Sequence, residues 1–390
     1  GHVSDIGGTK DSLKAREIYE EGFQIPPMKL FEEGRPNETL FRLLRQNVRN
    51  GEQVLGDVHS FVAANAIGAE RLAAFMADYG MEDLGALAEV VQGLSEKAMR
   101  DAIRALPDGV YASTIENNPL GVPMRYPVKL TIAGDSIDID FDGAPPQMAQ
   151  GGFNCTLNYT AAHATYPLKC MLTPAIRGNA GCYRPFSVSA PEGSVLNCAY
   201  PAAVNIRTRT GWYLAPNIFR AMAEAAPRQV QAHTGLAVAA NVYGKDSTGA
   251  FYSDMLFCGG GQGASERGDG QSALLWPTSA ANTSIELMES RVPVLLIEKS
   301  YLADSGGAGR HRGGLGQIVR FRKRDDDGEA MLVSVFPEGV DNPIDGLFGG
   351  SPGCGARGRV LDRDGNELRD CGSGELVELS GADVQVEMVL

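Results

Sequence analysis

The hydrophobic period of this chain changes at Pro107-Asp108-Gly109, and that change limits the folds open to it more than any other feature. From Glu38 to about Leu106 the apolar residues recur at helical spacing, as in Leu40, Leu43, Leu44 and Val48 and again in Leu72, Phe75 and Met76, with no proline in the stretch. Helices are expected there, broken near Gly51, Gly56, Gly80 and Gly93, and Ala63 to Tyr79 reads as an amphipathic helix packed on its neighbours. Beyond Gly109 the period is two: Val110 to Ile115, Val128 to Ile132 and Ser136 to Phe141, the last two joined by Gly134-Asp135 as a hairpin is. Asn158 to Leu172 returns to a helical pattern that Pro167 should kink or split, Phe186 to Ala190 suggests a short strand, and Ile218 to Ala226 a further helix. From His233 onward, short β-type runs such as Val294 to Ile297 and Met331 to Val335 alternate with glycine-rich connections.

The expected class is therefore α+β, with mixed helical and antiparallel β regions and a Gly-rich, β-type C-terminal part. The expected divisions are residues 1–37, a helical region 38–106, an α+β region 107–232 and a β-rich region 233–390. Three loops are dense in glycine: Gly143 to Phe153, Gly259 to Gly270 and Ser305 to Gly316. Loops of that length in a compact chain imply backbone held close to a ligand or to another chain.

Charge removes some partners. Lys+Arg 35 against Asp+Glu 48 leaves −13, and the densest basic run, Arg320 to Arg324, is followed at once by Asp325-Asp326-Asp327, so nucleic acid and anionic membrane are poor partners. The seven cysteines form no Cys-x-x-Cys pair, which fits reduced thiols and a cytoplasmic location. No apolar run has the length of a membrane span.

Few residues carry chemistry. His2 and Asp5, three apart beside Gly7-Gly8, combine an imidazole and a carboxylate, donors that suit Zn²⁺, Mn²⁺ or Fe²⁺, although two ligands alone hold a metal poorly. Glu17, Glu20 and Glu21 fall on a short helix, where spacing of three and four puts Glu17 on one face with both others; a solvated acidic face has the same pattern. Gly259-Gly260-Gly261-Gln262-Gly263-Ala264 offers successive backbone N–H groups to an anion, or is a turn between strands; without a following Gly-Lys-Ser/Thr it is no nucleotide loop. Arg310 and His311 place a cation and an imidazole on the third glycine loop. His59, His163 and His233 stand alone and read as structural, as does Cys155, which has no base beside it in sequence.

Four phrases then occur in order: Glu17 to Leu30, Gly178 to Pro185, Ala190 to Ser194, and Asp304 to Gly316. With the opening His2-x-x-Asp5-x-Gly7-Gly8 they resemble the hydantoinase B/oxoprolinase family from residue 1 to about residue 355. The resemblance implies a metal-binding subunit of an ATP-dependent enzyme that opens cyclic amides such as hydantoins, 5-oxoproline or lactams. Close relatives carboxylate ketones such as acetone and acetophenone, and a non-catalytic subunit is a third reading. Opening an unstrained amide is hard because nitrogen leaves poorly, so a hydantoinase-A-like partner is expected to bind ATP and phosphorylate the substrate. This chain would then be expected to hold a divalent metal that supplies the attacking water. His2 and Asp5 match the family's metal edge, Glu17 becomes the candidate catalytic carboxylate, and Gly260, Gly261, Gln262, Gly263, Arg310 and His311 become candidate substrate or anion contacts. An Asp/His motif that the family places upstream is absent, so the chain reads as lacking an N-terminal segment, and a hetero-oligomer acting on a small molecule is expected.

Overall fold

The computed structural model describes residues 12–235, 238–278, 280–336, 345–372, 374–381 and 384–390. His2 and Asp5 lie outside these residues.

A small unit opens the described chain. Strands β1 (Phe31–Glu32) and β2 (Arg35–Pro36) pair, followed by helices α1 (Glu38–Asn47) and α2 (Gly51–Asp78). Asn37 caps α1, its side chain accepting from the Leu40 amide. Leu40, Phe41, Leu44 and Leu55 form the cluster that joins the two helices. Gly56 and Gly93 do not break helices; they lie inside α2 and α3 (Gly85–Arg104), where helical neighbours outweigh the cost of a glycine of about 1 kcal/mol.

The first large core forms under a four-stranded sheet of order β3-β4-β5-β6, made of β3 (Gly109–Asn117), β4 (Met124–Ala133), β5 (Ser136–Asp140) and β6 (Phe186–Ser189). Period two does its work in β4, where Met124, Tyr126, Val128, Leu130 and Ile132 all face inward and are buried. The pairing is antiparallel except for β5 with β6, which is parallel. Helices α4 (Leu157–Leu172), α5 (Ala180–Tyr183) and α6 (Thr208–Ala221) complete this layer, and Met99 and Ile103 of α3 join its core. Two sequence expectations need correction. Pro167 does not split α4, whose backbone stays helical while Pro167 is buried. The second concerns α6, which starts ten residues before Ile218, because Gly211 and Pro216 inside it mask its signal.

The C-terminal half is a sandwich of two antiparallel sheets. One has the order β14-β11-β7-β8 and the other β13-β12-β15-β10-β9, from β7 (Val238–Lys245), β8 (Phe251–Cys258), β9 (Val294–Tyr301), β10 (Gln317–Lys323), β11 (Met331–Val335), β12 (Arg357–Asp362), β13 (Glu367–Cys371), β14 (Glu375–Leu379) and β15 (Val384–Val389). Val242, Leu256 and Val333 of one sheet share a core with Val319, Phe321 and Val386 of the other, closed at one side by α7 (Ile285–Arg291).

Within this sandwich Glu387 on β15 is 2% exposed and bonded by Arg320 of β10 at 2.5 Å and by Arg359 of β12. Burial pushes its carboxyl up, but the two guanidinium groups outweigh burial and hold it below the usual carboxylate value of 4.5. A depressed folded-state value gives stability that is present above the unfolded value and lost as pH falls through the folded one. Glu387→Gln is therefore expected to cost about 3 kcal/mol at neutral pH, by removing the buried partner of two cations and leaving them only the more exposed Glu298 and Glu367. Urea melts of parent and variant should converge as the pH drops below 4.5.

Candidate functional site

The three glycine-rich loops anchor what the sequence marks as functional. The first holds the segment that follows residues 1–11. Leu13 packs with Phe153 and Phe336, and the Gly151 amide donates to the Ala15 carbonyl at 2.8 Å. Glu17 pairs with Ala202 in an isolated bridge, and the Ile18 amide donates to the Pro201 carbonyl at 2.8 Å. The segment then turns through a single 3-10 turn, Ile18–Glu20, so Glu17 precedes the turn and is exposed, while Glu20 accepts from the Arg16 amide.

Glu21 is the carboxylate that enters the protein. It is 6% exposed and accepts from the Val204 amide at 2.7 Å and the Asn205 amide at 2.9 Å. A Cβ at Gly152 would lie 2.4 Å from Glu21 Oε1 and 2.7 Å from the Asn205 nitrogen, so the glycine is what lets this carboxylate in. Sequence reasoning treated Glu17, Glu20 and Glu21 as one face and preferred Glu17. The neighbouring Gly22 is no guide to the choice, because the glycine that matters is 131 positions away.

The other two glycine loops meet each other. A Cβ on Gly261 would stand 1.8 Å from the Gly314 carbonyl oxygen, on Gly270 1.8 Å from that of Gln262, on Gly314 2.0 Å from that of Gln271, and on Gly306 2.1 Å from that of Gly313. Main-chain bonds stitch the same loops, the amides of Gly235, Gly314 and Gly270 donating to the carbonyls of Gly261 at 2.7 Å, Gln262 at 2.8 Å and Arg312 at 2.8 Å. Asp269 adds a side-chain tie by accepting from the Arg312 amide at 2.8 Å.

These loops, with residues 227–235 and 345–354, enclose a cavity of about 570 Å³. Gly261, Gln262, Gly263, Arg310 and His311 all line it; Gly260 instead lies against Gly235, and Glu17 belongs to the other site. The amides of Gln262 and Gly263 already donate to the Gln271 carbonyl and to Thr234 Oγ1, at 2.9 and 3.3 Å. At the rim, Arg310 is open to solvent 3.9 Å from Glu266, and His311 Nδ1 lies 3.7 Å from Asp269.

His233, which stands alone in sequence, lines the cavity as well. Burial, helped by nearby Arg220, pushes its imidazole down to about 4, so it is neutral at physiological pH. Its Nε2 is buried with no partner among the described residues. His163 is likewise pushed down to about 4 by burial, within ring contact of Tyr159 and Tyr166. Burial raises the Cys155 thiol far above its ordinary value, which leaves it unreactive. Among the described residues, no group of three or more His, Cys, Asp or Glu could hold a metal ion, and no helix is long and apolar enough to cross a membrane.

A strap pinned by a buried carboxylate and a cavity walled by glycine main chain are the two features that mark this α+β chain. The chain belongs to the hydantoinase B/oxoprolinase family, whose model matches residues 1–388. It is 30% identical over 97% of its length to a protein of Pseudomonas sp. (strain NS671) provisionally named as a D-/L-hydantoinase subunit, of which it covers 68%. The beta chain of caprolactamase from Pseudomonas jessenii is 30% identical over 90% of the present chain, which spans 62% of that relative. The crystal structure of the ATP-dependent caprolactamase from the same organism superposes with a TM-score of 0.81 at 26% identity, over 100% of this chain and 69% of that one. Nucleotide-free acetone carboxylase shares the fold, with a TM-score of 0.80 at 16% identity, over 100% of this chain and 59% of that one.

The close approaches give a direct prediction. Gly261→Ala should lower stability by about 3 kcal/mol or more, because backbone blocks its Cβ. Gly93→Ala, with nothing within 4 Å of its Cβ, should stabilise α3 by roughly 1 kcal/mol. Urea denaturation of the two variants beside the parent measures both.

Proposed function

We propose that this chain is the metal-binding subunit of an ATP-dependent cyclic-amide hydrolase, working on a substrate phosphorylated by a hydantoinase-A-like subunit. The likeness to the caprolactamase beta chain over 90% of the present chain carries this reading. His2 and Asp5 would hold the ion: an imidazole and a carboxylate suit Zn²⁺, Mn²⁺ or Fe²⁺, with further ligands supplied from outside this chain's residues. Such an ion, when bound, supplies a nucleophilic water at neutral pH and polarises the carbonyl.

The chain's own residues set the stage for that chemistry. The Glu21 clamp fixes the described strap, which follows residues 1–11 in sequence, to the main chain at Val204 and Asn205 through two hydrogen bonds. Glu17, exposed on the same strap, faces outward where substrate or a partner surface can reach it and is the candidate catalytic carboxylate. The glycine-walled cavity offers Arg310 and His311 at its rim to the anionic part of a phosphorylated intermediate, with Gly261, Gln262 and Gly263 as its wall. ATP is assigned to the partner, because no Gly-x-x-x-x-Gly-Lys-Ser/Thr phosphate loop occurs in the sequence.

The decisive assay follows ADP release and ring opening with lactams and hydantoins, with and without the ATP-binding subunit and bicarbonate. Turnover is expected only with both subunits and without dependence on bicarbonate. ATP hydrolysis by this chain alone, or strict dependence on bicarbonate with a ketone substrate, contradicts the reading. In the assembled enzyme His2→Ala should lower both bound metal, by elemental analysis, and turnover, while the partner's nucleotide affinity stays unchanged. Full metal content in that variant would remove His2 from the ligand set.

A further inference from the structure

Arg100, Arg320 and Arg359 are half-buried, and each is matched by a carboxylate, the first by Asp135 and the other two by Glu387. Arg207 is also half-buried and is matched by none among the described residues. Its one side-chain hydrogen bond there runs from Nη1 to the Val204 carbonyl at 3.1 Å. With 48 Asp and Glu against 35 Lys and Arg, the chain has carboxylates to spare. A guanidinium taken partly out of water without one is a cost that an anion from outside offsets.

The surroundings hold this guanidinium and leave one edge of it open. Its central carbon lies 5.1 Å from the centroid of the Tyr159 ring on α4. That ring is itself fixed: it packs on His163 at 4.4 Å, and a Cβ on Gly211 of α6 would stand 2.7 Å from its Cε1. Because Nη1 is committed to Val204, the fork made by Nε and Nη2 is the part without a partner among the described residues. Two parallel N–H groups in one plane match the two oxygens of a carboxylate.

Charge narrows the ligand further. Arg209, two residues on, stands over Phe336 at 4.6 Å and adds no second cation at Tyr159. His163 is neutral at physiological pH, since burial, with Arg207 adding to it, holds its imidazole down to about 4. One positive charge beside a neutral imidazole suits a monoanion, whereas a phosphate group at about −2 would keep half its charge unmatched. Position matters as well. Val204, which accepts from Arg207, donates its own amide to Glu21 at 2.7 Å, so one residue ties the fork to the strap. The glycine-walled cavity is a separate place, lined by neither Arg207 nor Tyr159.

We propose that Arg207 is a carboxylate-binding residue: its Nε/Nη2 edge, held against Tyr159 beside the strap, takes the carboxylate of a small organic acid. Opening a cyclic amide with water creates such a carboxylate, and assigning the bound acid to the ring-opened product rests on the function proposed above.

The test is calorimetric titration of the purified chain at neutral pH, without ATP or a second subunit. The probes are N-carbamoylglycine, which is ring-opened hydantoin and carries a carboxylate, uncharged hydantoin itself, and inorganic phosphate. N-carbamoylglycine should bind more tightly than either of the others. Arg207→Gln should weaken it by roughly tenfold or more. Arg207→Lys, which keeps the charge and disturbs the fold least, should recover only part of that loss, because lysine has no fork. Tyr159→Leu should weaken binding by roughly threefold through the lost ring contact, and Arg310→Gln on the cavity rim should leave it unchanged. Hydantoin or phosphate binding more tightly than N-carbamoylglycine overturns the proposal. So does a parent chain that binds no probe at about 10 mM, or an Arg207→Gln chain that binds N-carbamoylglycine as tightly as the parent. Loss of binding in Arg310→Gln would put the acid in the cavity and equally overturn it. Binding that depends on Arg207 upholds the site even where the two-subunit assay shows no ring opening, a result that removes the functional reading alone.

Discussion

Main chain lying directly against main chain, with no side chain between, is the constraint on which the rest of this structure depends. At Gly261, Gly270, Gly306 and Gly314 a single added carbon would fall within about the length of a covalent bond or two of a carbonyl oxygen. Gly316 is tighter still, 1.5 Å from the Leu390 carbonyl oxygen, so the end of the last strand is locked to the same stack. Gly235 and Gly260 lie against each other and connect the stack to the turn that leaves the first core. Beside this backbone contact, Leu275, Trp276 and Leu347 of the C-terminal half pack on the first core through their side chains.

That arrangement changes the meaning of the glycine loops. Long glycine-rich segments are ordinarily read as mobile lids or as backbone cradles for an anion. Here the amides of Gln262 and Gly263 are spent within the protein. Rigidity follows from close packing and main-chain hydrogen bonds across the loops, and it gives the cavity walls that do not have to be ordered when a ligand arrives.

The regular parts of the fold were legible because local pattern and final burial agree. In β4 every second residue faces the core, and the Gly134-Asp135 turn sits where the period predicted it. Elements whose pattern is interrupted were less clear. The start of α6 is hidden by Gly211, which is required because a Cβ there would meet Tyr159 at 2.7 Å and His163 at 3.1 Å. The candidate site was partly readable. Arg310 and His311 and the 259–264 loop were separate candidates in the sequence, and the structure puts Gly261, Gln262, Gly263, Arg310 and His311 around one cavity. Glu21 was not separated from Glu17 and Glu20, and His233 was read as structural, because their surroundings, Val204, Asn205 and the residues around the cavity, are remote in sequence and no local spacing announces them.

Native-state hydrogen exchange is the most direct measurement of the glycine stack. If main-chain packing holds the cavity rigid, the amides of Gly235, Gln262, Gly270 and Gly314, bonded to Gly261, Gln271, Arg312 and Gln262, should exchange as slowly as those of Val319 and Val333 in the sandwich core. Exchange of these four amides at the rate of open loops, while the strands stay protected, would show the stack to be a loose lid and contradict the account.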